Sequence, residues 1–158
     1  MNAETNVRLL QLTLPERPRP LGDYAPAVEV GNLLFVGGML PVKDGAPAFV
    51  GRVGQELTIE SGRRAAQLAV ANALAVARDV VGLNRLAGVV RLGVHVACAL
   101  DFQEHAAIAD AASALFNQIF EGGQHSRLAF GNSSLPGGKA VELEIVFLLH
   151  PKGRSVTQ

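Results

Sequence analysis

Two hydrophobic rhythms divide the chain. In residues 89–100, Val90, Leu92, Val94, Val96, Cys98 and Leu100 take every second position, and in residues 139–149 Val141, Leu143, Ile145, Phe147 and Leu149 do the same. A period of two gathers one set of side chains on one face, so both segments read as strands with a core face. β-rich runs at 25–30 and 33–39 flank Gly31-Asn32, a pair that tolerates positive φ and suits a tight hairpin turn. Pro41, Asp44, Gly45 and Pro47 then break the chain, and residues 49–53 are placed to add a short third strand. A further strand at 127–133 leads through Leu135-Pro136-Gly137-Gly138 into the last one, which makes the final two strands expected neighbours.

The second rhythm is helical. Residues 56–81 hold no proline, Thr58 is placed to cap, Glu60 lies in the first turn and Gly82 stands where a helix ends. The apolar residues of this helix are mostly small (Ala65, Ala66, Ala69, Ala73, Ala77), which lets it approach a sheet closely. A second helix is expected from Asp101, as its cap, to about Glu121, with Ile108, Ala112, Leu115, Phe116, Ile119 and Phe120 at helical spacing and Gly122-Gly123 as the stop. Ahead of everything, an apolar stretch at 7–14 runs into Pro15-Glu16-Arg17-Pro18-Arg19-Pro20, whose prolines favour an extended link.

The resulting order, β-β-β-α-β-α-β-β, predicts an α+β fold: a mainly antiparallel, mixed sheet with two helices on one face. An arm (1–21), one domain (22–150) and a short tail (151–158) account for the chain. The second sheet face would carry Glu142 and Glu144 beside Val146 and Leu148, with no helix left to cover it, so self-association is the economical expectation.

Composition narrows the function. A chain of 158 residues with 14 Lys+Arg against 14 Asp+Glu has no basic excess, which counts against a nucleic-acid partner and against ribonuclease activity. The N-terminus has no secretory h-region and no apolar run is long enough to span a bilayer, so a cytoplasmic protein without a membrane partner is expected. Cys98 is the single cysteine and reads as a core strand residue; no Cys/His cluster has zinc-ligand spacing, and no metal is expected. Gly37-Gly38 and Gly137-Gly138 neither open a helix nor precede Lys-Ser/Thr, so they are turn and close-approach glycines rather than phosphate loops. Ser126, Ser133 and Ser134 lack an Asp-His partner motif.

The segment Gly22-Asp23-Tyr24-Ala25-Pro26-Ala27-Val28, followed by Gly31-Asn32-Leu33-Leu34-Phe35-Val36-Gly37-Gly38-Met39-Leu40-Pro41, resembles the start of RidA/YjgF proteins. The likeness continues through the long helix, Asp101-Phe102, and Arg127-x8-Pro136-x5-Glu142-Leu143-Glu144, and covers about residues 22–149. It is nearest to a less characterised branch with an N-terminal arm and a His-x-Arg segment. The resemblance implies a chorismate-mutase-like homotrimer with clefts between subunits. It also implies hydrolysis of small 2-imino acids of the 2-aminoacrylate type, with no metal or organic cofactor. By the same resemblance Arg127 holds the substrate carboxylate, Glu142 attends the water, and Tyr24 and Gly38 line the pocket. Gly37, Met39, Asp110 and Ala129 occupy positions where the family often carries Ser, Gln, Asn and Cys.

Elementary chemistry fits those roles and leaves alternatives beside them. Arg127 offers a planar fork for a carboxylate, or an interface salt bridge. Glu142 among apolar neighbours is a candidate base, or the partner of Arg127 or a lysine, and Glu144 on the same face is open to either part. His125 lies two residues before Arg127, so on a strand both side chains share a face and one ligand; His95 is a weaker candidate. Tyr24 is placed to close a pocket or simply to pack. The alternative to an enzyme is a trimer that binds or senses a small carboxylate without catalysis.

Overall fold

The structure, a computed structural model, describes residues 2–43 and 46–151. Asp44, Gly45 and the tail beyond Pro151 lie outside the described residues.

A five-stranded sheet has the order β1-β2-β7-β5-β6, from β1 (Ala27–Val30), β2 (Leu33–Met39), β5 (Leu86–Ala97), β6 (Ser126–Asn132) and β7 (Val141–Leu149). β1 and β2 form the expected hairpin, with Val30 opposite Leu33 and Gly31 at φ 60°. Every pairing is antiparallel except β5 with β6. A small hairpin of β3 (Val42–Lys43) and β4 (Ala46–Pro47) follows β2 in place of the strand expected at 49–53, where Val50 and Val53 make isolated bridges only.

α2 (Ile59–Val80) begins as the sequence predicts, with the Thr58 hydroxyl accepting from the Ser61 N–H at 3.1 Å, and ends ahead of Gly82 at φ 84°. α3 (His105–Ile119) starts later than expected: Asp101 lies before the helix, and Glu104 occupies the cap position without a side-chain bond. Both helices lie over the face that carries Leu34, Val36, Leu92, Val94, Val96, Leu143, Ile145 and Phe147, all buried. Small residues set the approach of the helices: a Cβ at Gly62 would come within 2.9 Å of Ile108 Cδ1 and 3.0 Å of Val53.

A third helix, α1 (Ala3–Leu9), lies within the segment 1–21 read from the sequence as an arm, for which no helix was expected. Seven residues make a marginal helix in water. Here the Asn2 side chain caps it, Ala3 and Val7 are buried, and the Asn6 side chain donates to the Ile119 carbonyl at 2.8 Å, satisfying an orphan acceptor at the end of α3.

Strand alternation in β5 slips at a bulge between Val89 and Arg91, so Val89 is buried and Val90 exposed, the reverse of the expected order. Leu100, expected on the core face, lies past the strand and is fully exposed. The sheet face away from the helices displays Val28, Phe35, Leu128, Phe130 and Leu148, each more than a third exposed.

Candidate functional site

The residues singled out from the sequence fall into two groups on opposite faces of the sheet. The first surrounds a cavity of about 270 Å³ lined by Tyr24, Gly38, Met39 and Glu142 together with Leu40, Val42, Pro136 and the strap 18–22. Gly37 borders it: a Cβ there would lie 3.8 Å from the Tyr24 ring. β7 presents Glu142 on the face away from the helices, opposite His95 in the register. Gly38 makes room for it, because a Cβ at that position would overlap Glu142 Oε1 and lie 2.8 Å from Cδ. Burial pushes the Glu142 carboxyl above its ordinary 4.5, and the nearby His95 charge opposes part of that rise. A carboxyl held this way ionises later than a solvated one and is a stronger base once ionised.

The wall beside it is pinned. Asn72 on α2 is completely buried, and its amide donates to the carbonyls of Leu40 at 2.8 Å and Val42 at 2.9 Å. Leu40 lies past the end of β2 and Val42 opposes Pro47, which has no N–H to donate, so a side chain from the helix supplies the donors.

The second group lies under α3. In β6, Arg127 is in register with buried Leu92 and Ala129 with buried Val94, so both face the helices. Arg127 Nη1 donates to Asp110 Oδ1 at 2.8 Å and to Ser113 Oγ at 3.0 Å. Ser113 Oγ in turn lies 2.9 Å from His125 Nε2. Since the serine oxygen already accepts from Arg127, its hydroxyl proton is free to point at the imidazole, which suits a neutral ring. Burial first, and the Arg127 charge second, hold His125 below its ordinary 6.5. Among the described residues nothing accepts from Arg127 Nε or Nη2, so two sides of the fork remain for a ligand.

The expected adjacency of the last two strands is therefore corrected. β5, α3 and β6 form a strand–helix–strand unit, which brings β6 in parallel to one edge of β5, while β7 takes the other edge. In one chain the Arg127 and Glu142 backbones lie two strand spacings apart, roughly 10 Å, and are offset in register, since Arg127 pairs with Leu92 and Glu142 with His95, and their side chains leave opposite faces of the sheet.

Three contributors escaped the sequence reading. Ser113 joins Arg127 to His125, and its only sequence signal is its place three residues after Asp110, on the same helix face. The strap residues Pro18, Arg19, Pro20 and Leu21 read as a linker but wall the cavity. Cys98 is buried as expected, yet His105 Nε2 lies 3.5 Å from its sulfur, a neighbour brought round by the turn into α3. Among the described residues no group of three or more His, Cys, Asp or Glu is arranged to hold a metal ion, and no helix is long and apolar enough to cross a membrane.

A mixed sheet of this order, covered on one face by two long helices and left open on the other, defines a chorismate-mutase-like fold. The family model described as "YjgF/chorismate mutase-like, putative endoribonuclease" matches residues 4–150, and the chain belongs to the YjgF/RidA family. Protein TCP17 of Trypanosoma cruzi is 33% identical over 148 residues, 92% of each chain. Among solved structures, Atu1372 of Agrobacterium tumefaciens is 32% identical with a TM-score of 0.85, covering 94% of this chain and 92% of its own. A Shewanella oneidensis protein described as a "putative endoribonuclease" is 30% identical with a TM-score of 0.89, covering 94% of this chain and all of its own.

Proposed function

We propose that the protein hydrolyses small 2-imino acids of the 2-aminoacrylate type, at clefts completed by a neighbouring copy in a homotrimer. The observation that carries this reading is Glu142: a half-buried carboxyl with a raised pKa, facing a cavity large enough for a small acid. Its counterpart, the Arg127 fork with two free sides, faces the other way in the same chain. The half-sites can therefore serve one ligand only if Arg127 of one copy approaches the cavity of the next. The apolar face carrying Phe35, Leu128, Phe130 and Leu148 supplies a surface on which such copies can pack.

In the cleft, Arg127 would hold the carboxylate and Glu142 would take a proton from a water aimed at C2. The water oxygen bonds to that carbon while its proton passes through Glu142 to nitrogen; the second proton, from the new hydroxyl, then moves to the same nitrogen as the carbon–nitrogen bond breaks, giving ammonia and a 2-oxo acid. An imine carbon is already electrophilic, so positioning and one base suffice. Some relatives carry an endoribonuclease description. The described lining of this cavity holds one cation, Arg19, among mostly apolar side chains, which suits a small organic acid better than a polyphosphate chain.

The test generates 2-aminoacrylate in situ with a serine dehydratase and follows pyruvate release. The wild-type protein accelerates release, Arg127→Ala abolishes the effect and Glu142→Gln lowers it about 100-fold. No acceleration with imino acids of several sizes, alongside calorimetric binding of a small carboxylate, would replace the hydrolase by a binding trimer. A sedimentation mass of one chain at micromolar concentration would refute the shared cleft.

A further inference from the structure

Ser113, His125 and Arg127 form a second reactive constellation, and unlike the Glu142 cleft it is complete within one chain. The Ser113 hydroxyl oxygen lies 2.9 Å from His125 Nε2 and 3.0 Å from Arg127 Nη1. A hydroxyl is a weak nucleophile until a base within hydrogen-bond reach takes its proton. His125 meets that requirement. Burial first, and the Arg127 charge second, hold its pKa below 6.5, so the proton-accepting ring predominates at neutral pH.

Each group is fixed in place. Ser113 is carried by α3, and Arg127 is tied by its bond to Asp110 at 2.8 Å. Phe116, itself 1% exposed, meets the His125 ring edge-on, with centroids 6.5 Å apart and planes at 78°. The pair has no local sequence signature, because serine and histidine stand 12 positions apart across the end of α3 and the turn at Gly122. The Arg127 side chain is 25% exposed and that of Asp110 63%, so the constellation is open to solvent on the Asp110 side.

Arg127 supplies the remaining element. Its Nη1 already donates to Oγ, which favours negative charge on that oxygen, and among the described residues nothing accepts from Nη2 beside it. When Oγ bonds to a carbonyl carbon, the two oxygens hang from one atom, so a planar fork that holds the first is spaced to hold the second as it becomes an oxyanion. His125 Nδ1 is buried and has no partner among the described residues, so no carboxylate backs the imidazolium and turnover is slow beside that of a full triad.

We infer that Ser113 is the nucleophile of a second activity, acyl transfer from small carboxylic esters, with His125 as its base and Arg127 as the oxyanion donor. Oγ bonds to the carbonyl carbon as His125 takes the hydroxyl proton. The bond from that carbon to the alcohol oxygen then breaks, and the imidazolium returns the proton to the departing oxygen. A water repeats both steps on the acyl-serine and frees the acid. This activity uses neither Glu142 nor a second copy, so it stands or falls apart from imine hydrolysis. The alternative is a brace that pins α3 to β6.

The full-length protein is treated with a small fluorophosphonate, which phosphonylates an activated serine with loss of fluoride, and adducts are mapped by peptide mass spectrometry. Ser133 and Ser134, exposed and without a bonded histidine among the described residues, serve as internal controls. A positioned base is worth about 10²–10⁴-fold, so Ser113 is expected to react at least about 100-fold faster than either. The rate rises with pH to half its plateau below 6.5, and 4-nitrophenyl acetate acetylates the same serine. His125→Gln slows the reaction of Ser113 about 100-fold and Ser113→Ala removes the adduct, with thermal melts as the check on folding. Comparison of serines within the wild-type protein decides the matter even where a variant fails to fold. Adducts spread evenly over the exposed serines, or controls that react while Ser113 does not, overturn the proposal and leave the brace. A labelled Ser113 without accelerated pyruvate release from 2-aminoacrylate sustains acyl transfer and overturns the imine reading.

Discussion

Gly38→Ala separates the position of the Glu142 carboxyl from the stability of the fold. The Gly38 backbone lies outside the left-handed region, so alanine meets no backbone strain and only space objects. The new Cβ would overlap Oε1, lie 2.8 Å from Cδ and 3.2 Å from Cγ of Glu142. These atoms belong to the end of a flexible side chain, so Glu142 turns away while β2 and β7 stay. An off-rotamer carboxyl costs about 0.5–1.5 kcal/mol, and replacing glycine returns about 0.4–1 kcal/mol through the unfolded chain. The net change in stability is then within about 1 kcal/mol, a few degrees in Tm for a domain of this size. The base, however, no longer faces its water. Proton transfer by a positioned group contributes 10²–10⁴-fold, so kcat/KM should fall about 100-fold, or about 2.7 kcal/mol of transition-state stabilisation.

The pH profile supplies the second readout. Glu142 must be ionised to act, and burial raises its pKa, so the acid limb of the wild-type profile lies above 4.5. In Gly38→Ala the carboxyl gains solvent and the limb moves down toward 4.5. The same shift has a signature in stability. The folded state holds the Glu142 proton to higher pH than the unfolded state, so its contribution is most favourable below 4.5 and falls as pH rises through the folded value. Initial rates of imine hydrolysis from pH 4 to 9 and thermal melts over the same range test both. Unchanged kcat/KM with an unmoved acid limb would refute the placement of Glu142 as the base.

Arg127→Lys should weaken carboxylate binding at least tenfold although charge is kept, because an ammonium cannot serve Asp110, Ser113 and a ligand with one planar fork; equal calorimetric affinities would make Arg127 purely structural. Asn72→Ala leaves two carbonyls without donors and should cost about 2–4 kcal/mol in urea unfolding, and a loss under 1 kcal/mol would show that the turn repairs itself. Burial, with the Arg127 charge second, holds His125 below its ordinary 6.5, so its contribution to stability is intact above 6.5 and is lost as pH falls through the lower folded value; His125→Gln should flatten that part of the stability curve, and an unchanged curve refutes the assignment. Asn6→Ala removes a bond that joins α1 to the end of α3 and should release amide-exchange protection in residues 3–9 before any loss elsewhere.

What the sequence determined by itself is local. Thr58 and Gly82 bracket α2 because capping needs only neighbouring backbone groups, and the alternation from Val141 to Leu149 predicts the β7 core face because strand geometry repeats every two residues. The family resemblance added residue types at particular positions, and Tyr24, Gly38, Met39 and Glu142 do gather at one cavity. Tertiary structure decided whatever depends on distant partners. α1 is too short to stand alone and exists by burying Ala3 and Val7 and by donating Asn6 to α3. The bulge in β5 answers its pairing with β7, and no periodicity of β5 alone announces it. Strand order did the most: β6 follows α3 to the far edge of β5, which turns Arg127 toward Asp110 and Ser113 and away from Glu142. Side-chain direction on a strand is a local property, but which strands become neighbours is settled by crossover packing over the whole sheet.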